Sequence, residues 1–125
     1  MASNIGLRIG IDGESEFRKS INEINDSFKT LKSEMGAVTS AFDKNDRSQE
    51  KLTEANKVLN KQIDLQKQKL SEVSAMLEKS KDKYGENDAK TQSWKRTVND
   101  ATTELNKLER QLKDNNATLG TATTK

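Results

Sequence analysis

Metal binding or general acid–base chemistry in this chain would have to come from carboxylates, because its 125 residues include no histidine and no cysteine. That removes the commonest metal ligand and the commonest general base together, along with any thiolate cage or disulfide framework. The acidic pairs with short spacing are Glu14 with Glu16, Asp43 with Asp46, and Glu86 with Asp88. None offers the spaced oxygen ligands of a calcium loop, so they read as solvated helix ends. A serine nucleophile would need a base and a polarising partner, and no Gly-rich elbow or lysine in an apolar setting supplies them. Gly6, Gly10 and Gly13 imitate a phosphate loop without its Gly-Lys-Ser or Gly-Lys-Thr ending, and they interrupt an apolar run instead of following it. Small residues that let a strand pack closely explain them. The expectation is a chain with no catalytic residues, no metal ligands and no cofactor.

The lysines invite a nucleic-acid reading. Residues 47–85 hold nine basic and six acidic side chains, among them Lys57, Lys61, Lys67, Lys69, Lys79, Lys81 and Lys83. Arginine is scarce, aromatics for stacking are missing, and neither a zinc-finger nor a basic-zipper pattern is present. A solvated coiled-coil exterior accounts for the same residues, with Glu14 to Arg18, Glu86 to Lys90 and Glu109 to Lys113 placed for pairing along helices. Over the whole chain 22 basic and 20 acidic groups leave a formal charge of +2, which selects no partner.

The elements behind these residues follow from composition and period. With 34% charged and 30% hydrophobic residues there is little for a globular interior, whereas helices meeting along seams need less. Proline is absent and glycine occurs six times, leaving long stretches without breakers. No apolar run reaches membrane-spanning length, and the first residues lack both the basic leader and the apolar core of a signal peptide, so the segment is expected to be soluble and without membrane contact.

Ile5, Leu7, Ile9 and Ile11 alternate with Gly6, Arg8, Gly10 and Asp12, which is strand periodicity. A lone strand needs a partner. Asp12-Gly13 then turns the chain into a first helix, expected over 14–43, whose apolar residues Phe17, Ile21, Ile24, Phe28, Leu31, Met35, Val38 and Phe42 fall alternately four and three apart. After the polar stretch 43–48, with Ser48 or Asp46 as caps, a second helix is expected over 49–84. Its seam is Leu52, Asn56, Leu59, Ile63, Gln66, Leu70, Val73, Leu77, Ser80 and Tyr84, and Ala55, Val58, Leu65, Ala75 and Met76 widen the stripe toward a second neighbour. Gly85 closes that helix, and Asn87 or Asp88 caps a third over 89–116, with Thr91, Trp94, Val98, Ala101, Leu105, Leu108, Leu112 and Asn115 in the same spacing. Residues 117–125 are rich in threonine and read as a flexible linker or a cut end. The expected fold is therefore mainly α: an antiparallel hairpin or three-helix coiled-coil bundle (14–116) behind an N-terminal strand and turn (1–13). The strand and the three seams are the expected surfaces for self-association or partner contact.

The run IGLRIGIDGESEFRKSINEIN, followed by FKTLKSEMGAVTSAFDKNDRSQEKLTEANKVLNKQI and later by YGENDAKTQSWKRTVNDATTELNKLERQL, resembles the amino-terminal region of tail tape measure proteins from long-tailed bacteriophages and prophages of Gram-positive bacteria. The likeness extends to about Asn115. It implies a structural protein of the virion tail, present in the host cytoplasm during assembly, that helps the tail tube polymerise and sets its length. Tail assembly chaperones and tube or tip proteins are the partners it implies. The muralytic domains and the long hydrophobic region carried elsewhere by such proteins have no counterpart in these residues. Two other classes share the periodicity: a stand-alone coiled-coil adaptor or assembly chaperone, and a weak nucleic-acid-associated coiled coil.

Overall fold

The computed structural model describes residues 11–42 and 48–123, with side chains through residue 120. Among them the chain forms three helices, α1 (Glu14–Ser40), α2 (Gln49–Tyr84) and α3 (Ala89–Thr123). The strand expected over Ile5, Leu7 and Ile9 lies outside the described residues. Ile11 is described, and it is buried in a turn and not in a strand.

Each helix start has its own solution for the unpaired N–H groups of a first turn. At α1 the chain enters through Gly13, whose φ of +84° is left-handed backbone that glycine adopts without penalty. Glu14 Oε1 accepts from the Ile11 amide at 3.3 Å, and Glu14 and Glu16 put negative charge on the positive helix end. Ser48 caps α2, its hydroxyl accepting from the Lys51 amide at 3.2 Å. Asp88 caps α3 by accepting from the Lys90 amide at 2.8 Å. Between α2 and α3, Gly85 takes φ +93° and ψ 157°, an extended conformation of mirror hand that only glycine adopts without strain.

Two helix ends differ from expectation. α1 stops at Ser40, and Ala41 and Phe42 form a closing turn through bonds to Ala37, Val38 and Thr39 carbonyls, so the last apolar residue of the first seam lies beyond the helix. Residues 117–123, expected as linker, continue α3. Threonine and glycine are poor helix formers, but a helix already nucleated gains one hydrogen bond for each added residue, and no proline interrupts it. Thr118 also donates its hydroxyl to the Asp114 carbonyl at 3.2 Å.

α2 is the centre of the bundle. It packs against both neighbours, more extensively against α3, while no Cα atoms of α1 and α3 come within 8 Å of each other. Both pairings are antiparallel. Ser20, Asn25 and Glu34 of α1 meet Glu72, Lys69 and Lys61 of α2 in descending order, and Asn56, Gln66 and Ser80 of α2 meet Asn115, Ala101 and Thr91 of α3. The up-down-up path follows from short connections, eight residues (41–48) and four (85–88), between long striped helices.

Candidate assembly interface

The surfaces that could carry a function are the helix seams, and they differ in chemistry. Along α2–α3 the buried aliphatic residues Leu52, Leu59, Ile63, Val73, Ala101 and Leu105 alternate with buried polar ones. Asn115 donates to Asn56 at 2.9 Å, and Asn56 in turn donates to Asn116 at 3.0 Å. Gln66 donates to the Ala101 carbonyl at 3.0 Å, and the Ser80 and Thr91 hydroxyls lie 2.8 Å apart. Among the described residues no buried side-chain nitrogen or oxygen lacks a partner. Satisfied layers of this kind cost little and penalise any other register, since a slipped seam would bury the same groups unpaired.

On the α1–α2 side the buried apolar residues are Ile24 and Leu31 of α1 and, off the α3 seam of α2, Ala55, Val58 and Met76. With 3.6 residues per turn, Val58 and Met76 lie about 60° to 100° round α2 from Val73 and Leu59, which is why one helix serves two partners. Polar contacts stay at the rim: Ser20 to Glu72 at 2.7 Å, Lys69 to Asn25 at 3.5 Å and Lys61 to Glu34 at 3.9 Å. At the far end Lys79 Nζ donates to the Asp12 carbonyl at 2.9 Å. The same ammonium lies 3.0 Å from where a Cβ on Gly13 would stand and could shift to admit one, so it is the left-handed backbone that favours glycine there.

No family model, curated protein or solved structure matches this chain. Its surfaces are therefore read from the geometry alone.

The structure brings together most of the seam residues. Leu59, Ile63 and Val73 are buried at α2–α3 with Leu105 of α3, while Leu70, Leu77, Tyr84, Trp94, Val98, Leu108 and Leu112 are half-buried along the same line. Phe17 and Trp94 meet edge to face with centroids 5.3 Å apart, bridging α1 and α3 near one end of the bundle. The first helix divides. Ile24 and Leu31 are buried, while Phe17, Ile21, Phe28, Met35, Val38 and, beyond the helix, Phe42 are half-buried. Ala75, expected to widen the α2 stripe, is exposed. The α2 face toward α1 instead uses Glu72 and Lys69, whose polar heads and aliphatic stems gave no periodic signal.

The basic residues are interleaved with acids. Arg18–Glu14, Lys57–Glu54, Lys81–Glu78 and Lys107–Glu104 pair within helices, and Lys61–Glu34 pairs across α1–α2. Glu86 does not take Lys90, as its spacing suggested. It pairs with Lys95 at 3.2 Å, while Lys90 lies 3.9 Å from Asp88 and 4.6 Å from the centre of the Tyr84 ring. The Lys95 hydrogen bond, then the Lys95 and Lys81 charges, hold the Glu86 carboxyl below the ordinary glutamate range. Among the described residues no group of three or more acidic side chains is placed to hold a metal ion, and no helix is long and apolar enough to cross a membrane.

Proposed function

We propose that the chain is a structural segment of a phage tail tape measure protein, a non-catalytic scaffold that helps the tail tube assemble and contributes to its length. The observation that supports the scaffold reading is the incomplete cover of α1, of whose apolar stripe only Ile24 and Leu31 are buried while Phe17, Ile21, Phe28, Met35 and Val38 are half-buried. A helix left in this state gains by binding another helix, as an assembly segment does. The tail assignment rests on the likeness of residues 5–115 to the tape measure family, and tail chaperones, tube proteins and tip proteins are the partners proposed with it.

Helices of 27, 36 and 35 residues laid end to end would span about 147 Å, while the folded bundle is about as long as α2 alone, about 54 Å. In-frame deletion of residues 14–123 from the parent phage or prophage gene, with tails measured by electron microscopy, tests the proposal. Tails shortened by about 54 Å are the expected result for a segment that works folded back. Complete tails of unchanged length would remove the length role and favour an adaptor or assembly chaperone.

A further inference from the structure

The α2 and α3 seams stay in phase across the turn that separates them. Ser80, Tyr84, Asn87, Thr91 and Trp94 fall four, three, four and three apart, so with residues 85–88 helical the two seams would form one unbroken heptad stripe. A folded-back turn can re-enter the next helix at any rotation and sets no such condition. Asn87, the seam position inside the turn, is exposed, so the folded-back chain does not use it as one. We propose that residues 85–88 are a hinge at which α2 and α3 straighten into one helix, and that two straightened copies exchange their α3 segments in an antiparallel dimer. The partner is a second copy because the surface is one the chain already makes: α3 of one copy replaces α3 of the other on α2. The exchange goes beyond the scaffold reading and does not depend on it.

The observed contacts have the symmetry that exchange needs. Asn56 with Asn115 and Ser80 with Thr91 are both centred on the same point of the chain, between Gly85 and Glu86. A two-fold axis at that point of two straight helices rebuilds both pairs between copies and adds a layer of Tyr84 on the second copy's Asn87. Exchange of this kind costs little, because bonds broken within one chain are remade with another.

The turn is close to helical on both sides. The Gly85 amide still donates to the Lys81 carbonyl at 2.9 Å and the Gln92 amide to the Asp88 carbonyl at 3.0 Å, both with helical spacing, and the chain has no proline. Straightening therefore re-forms only the four residues 85–88. Gly85 holds the turn at φ +93° and ψ 157°, where other residues are strained, and a Cβ there would meet nothing within 4 Å. A substitution at Gly85 thus acts through the backbone alone. Glu86 and Lys90, which do not pair across the turn, are four apart as a continuous helix would pair them.

Refolding from urea tests the hinge. At about 1 mM, the effective concentration of a short tether, the wild-type chain should yield a fraction with twice the 14.0 kDa chain mass by sedimentation. Gly85→Ala should lower the dimer dissociation constant by a factor of about ten or more, since alanine is strained in the turn and favoured in the helix. Two alanines inserted between Glu86 and Asn87 of that variant lengthen the turn but break the phase, and should return it to a monomer. The native chain has no cysteine, so spin labels at Gln68→Cys and Thr103→Cys, diluted into unlabelled chains, report the path of a single chain. They lie at one level of the bundle in the monomer and about 52 Å apart along one helix in the dimer, at 1.5 Å per residue. A wild-type chain that refolds only as a monomer, a Gly85→Ala dimer no tighter than the wild type, a dimer that survives the insertion, or labels that stay at one level in the dimer would each overturn the hinge. None of these results alters the tail-length measurement, so the exchange and the tail assignment fail separately.

Discussion

The two seams of α2 hold their registers by different means. Against α3, hydrogen-bonded groups sit inside the seam at Asn56, Gln66 and Ser80, and a slip by one heptad would separate the side-chain pairs Asn56–Asn115 and Ser80–Thr91. Against α1 the interior is aliphatic, and heptad slips would bring similar side chains together again. Register there depends on features at the rim and the end: Ser20 on Glu72, Lys61 on Glu34, and the Asp12-Gly13 turn held by Lys79. The contrast separates stability from specificity. Apolar area supplies the first on both sides, and buried polar pairing supplies the second on one side.

Removing apolar volume should have the largest effect and should rank the two seams. Leu59 has no exposed surface, so Leu59→Ala should cost about 2 to 5 kcal/mol in urea unfolding. Leu31 lies on α1, which has one helical neighbour, so Leu31→Ala should fall near the lower end of that range, about 2 kcal/mol. Leu70 is half-buried, and Leu70→Ala should cost less again, about 1 kcal/mol. A loss at Leu31 larger than that at Leu59 would break the ranking.

The polar layers sharpen the comparison at a smaller magnitude. Asn56→Ala removes the partner of buried Asn115 and should cost about 1 to 3 kcal/mol. Replacing Asn56 and Asn115 together by leucine should restore or raise the unfolding midpoint while loosening the register. Amide resonances of α3 would then multiply, and those of α1 would not. Unchanged single resonances throughout α3 would show that Gln66 and the Ser80–Thr91 pair hold the register without the asparagine layer.

Much of the fold was legible because helix periodicity reports burial directly. The seam positions Asn56, Gln66 and Ser80 meet Asn115, Ala101 and Thr91 across α2–α3 with buried aliphatic residues between them, and the caps at Ser48 and Asp88 follow from their side-chain chemistry. That only Ile24 and Leu31 of the α1 stripe are fully buried was not legible, since a heptad pattern records apolar character and not the number of neighbours. Ala75 was misplaced for a related reason, alanine being equally at home on exposed helix surface. Over 117–123, where a linker or cut end was expected, the helix continues because propensity is a weak guide once a helix is nucleated. Glu86 chose Lys95 over Lys90 because it lies in the α2–α3 connection, ahead of the first turn of α3, where four-residue helical spacing does not apply.

That last pair gives the smallest expected effect. The Lys95 hydrogen bond and the Lys95 and Lys81 charges lower the Glu86 carboxyl below the ordinary glutamate value of 4.5, so its ionised form is favoured by the folded state. Near pH 7 the group is ionised in both states and its contribution is fully present. As pH falls below 4.5, the unfolded chain takes up the proton first and the contribution shrinks, and it is lost once the pH passes below the folded value. Glu86→Gln should therefore lower the melting temperature slightly at pH 7, with the gap to the parent protein closing on acidification. The pair is exposed, so added salt should also shrink the gap. A gap that widens toward low pH would mean that Glu86 is held by something other than its lysines.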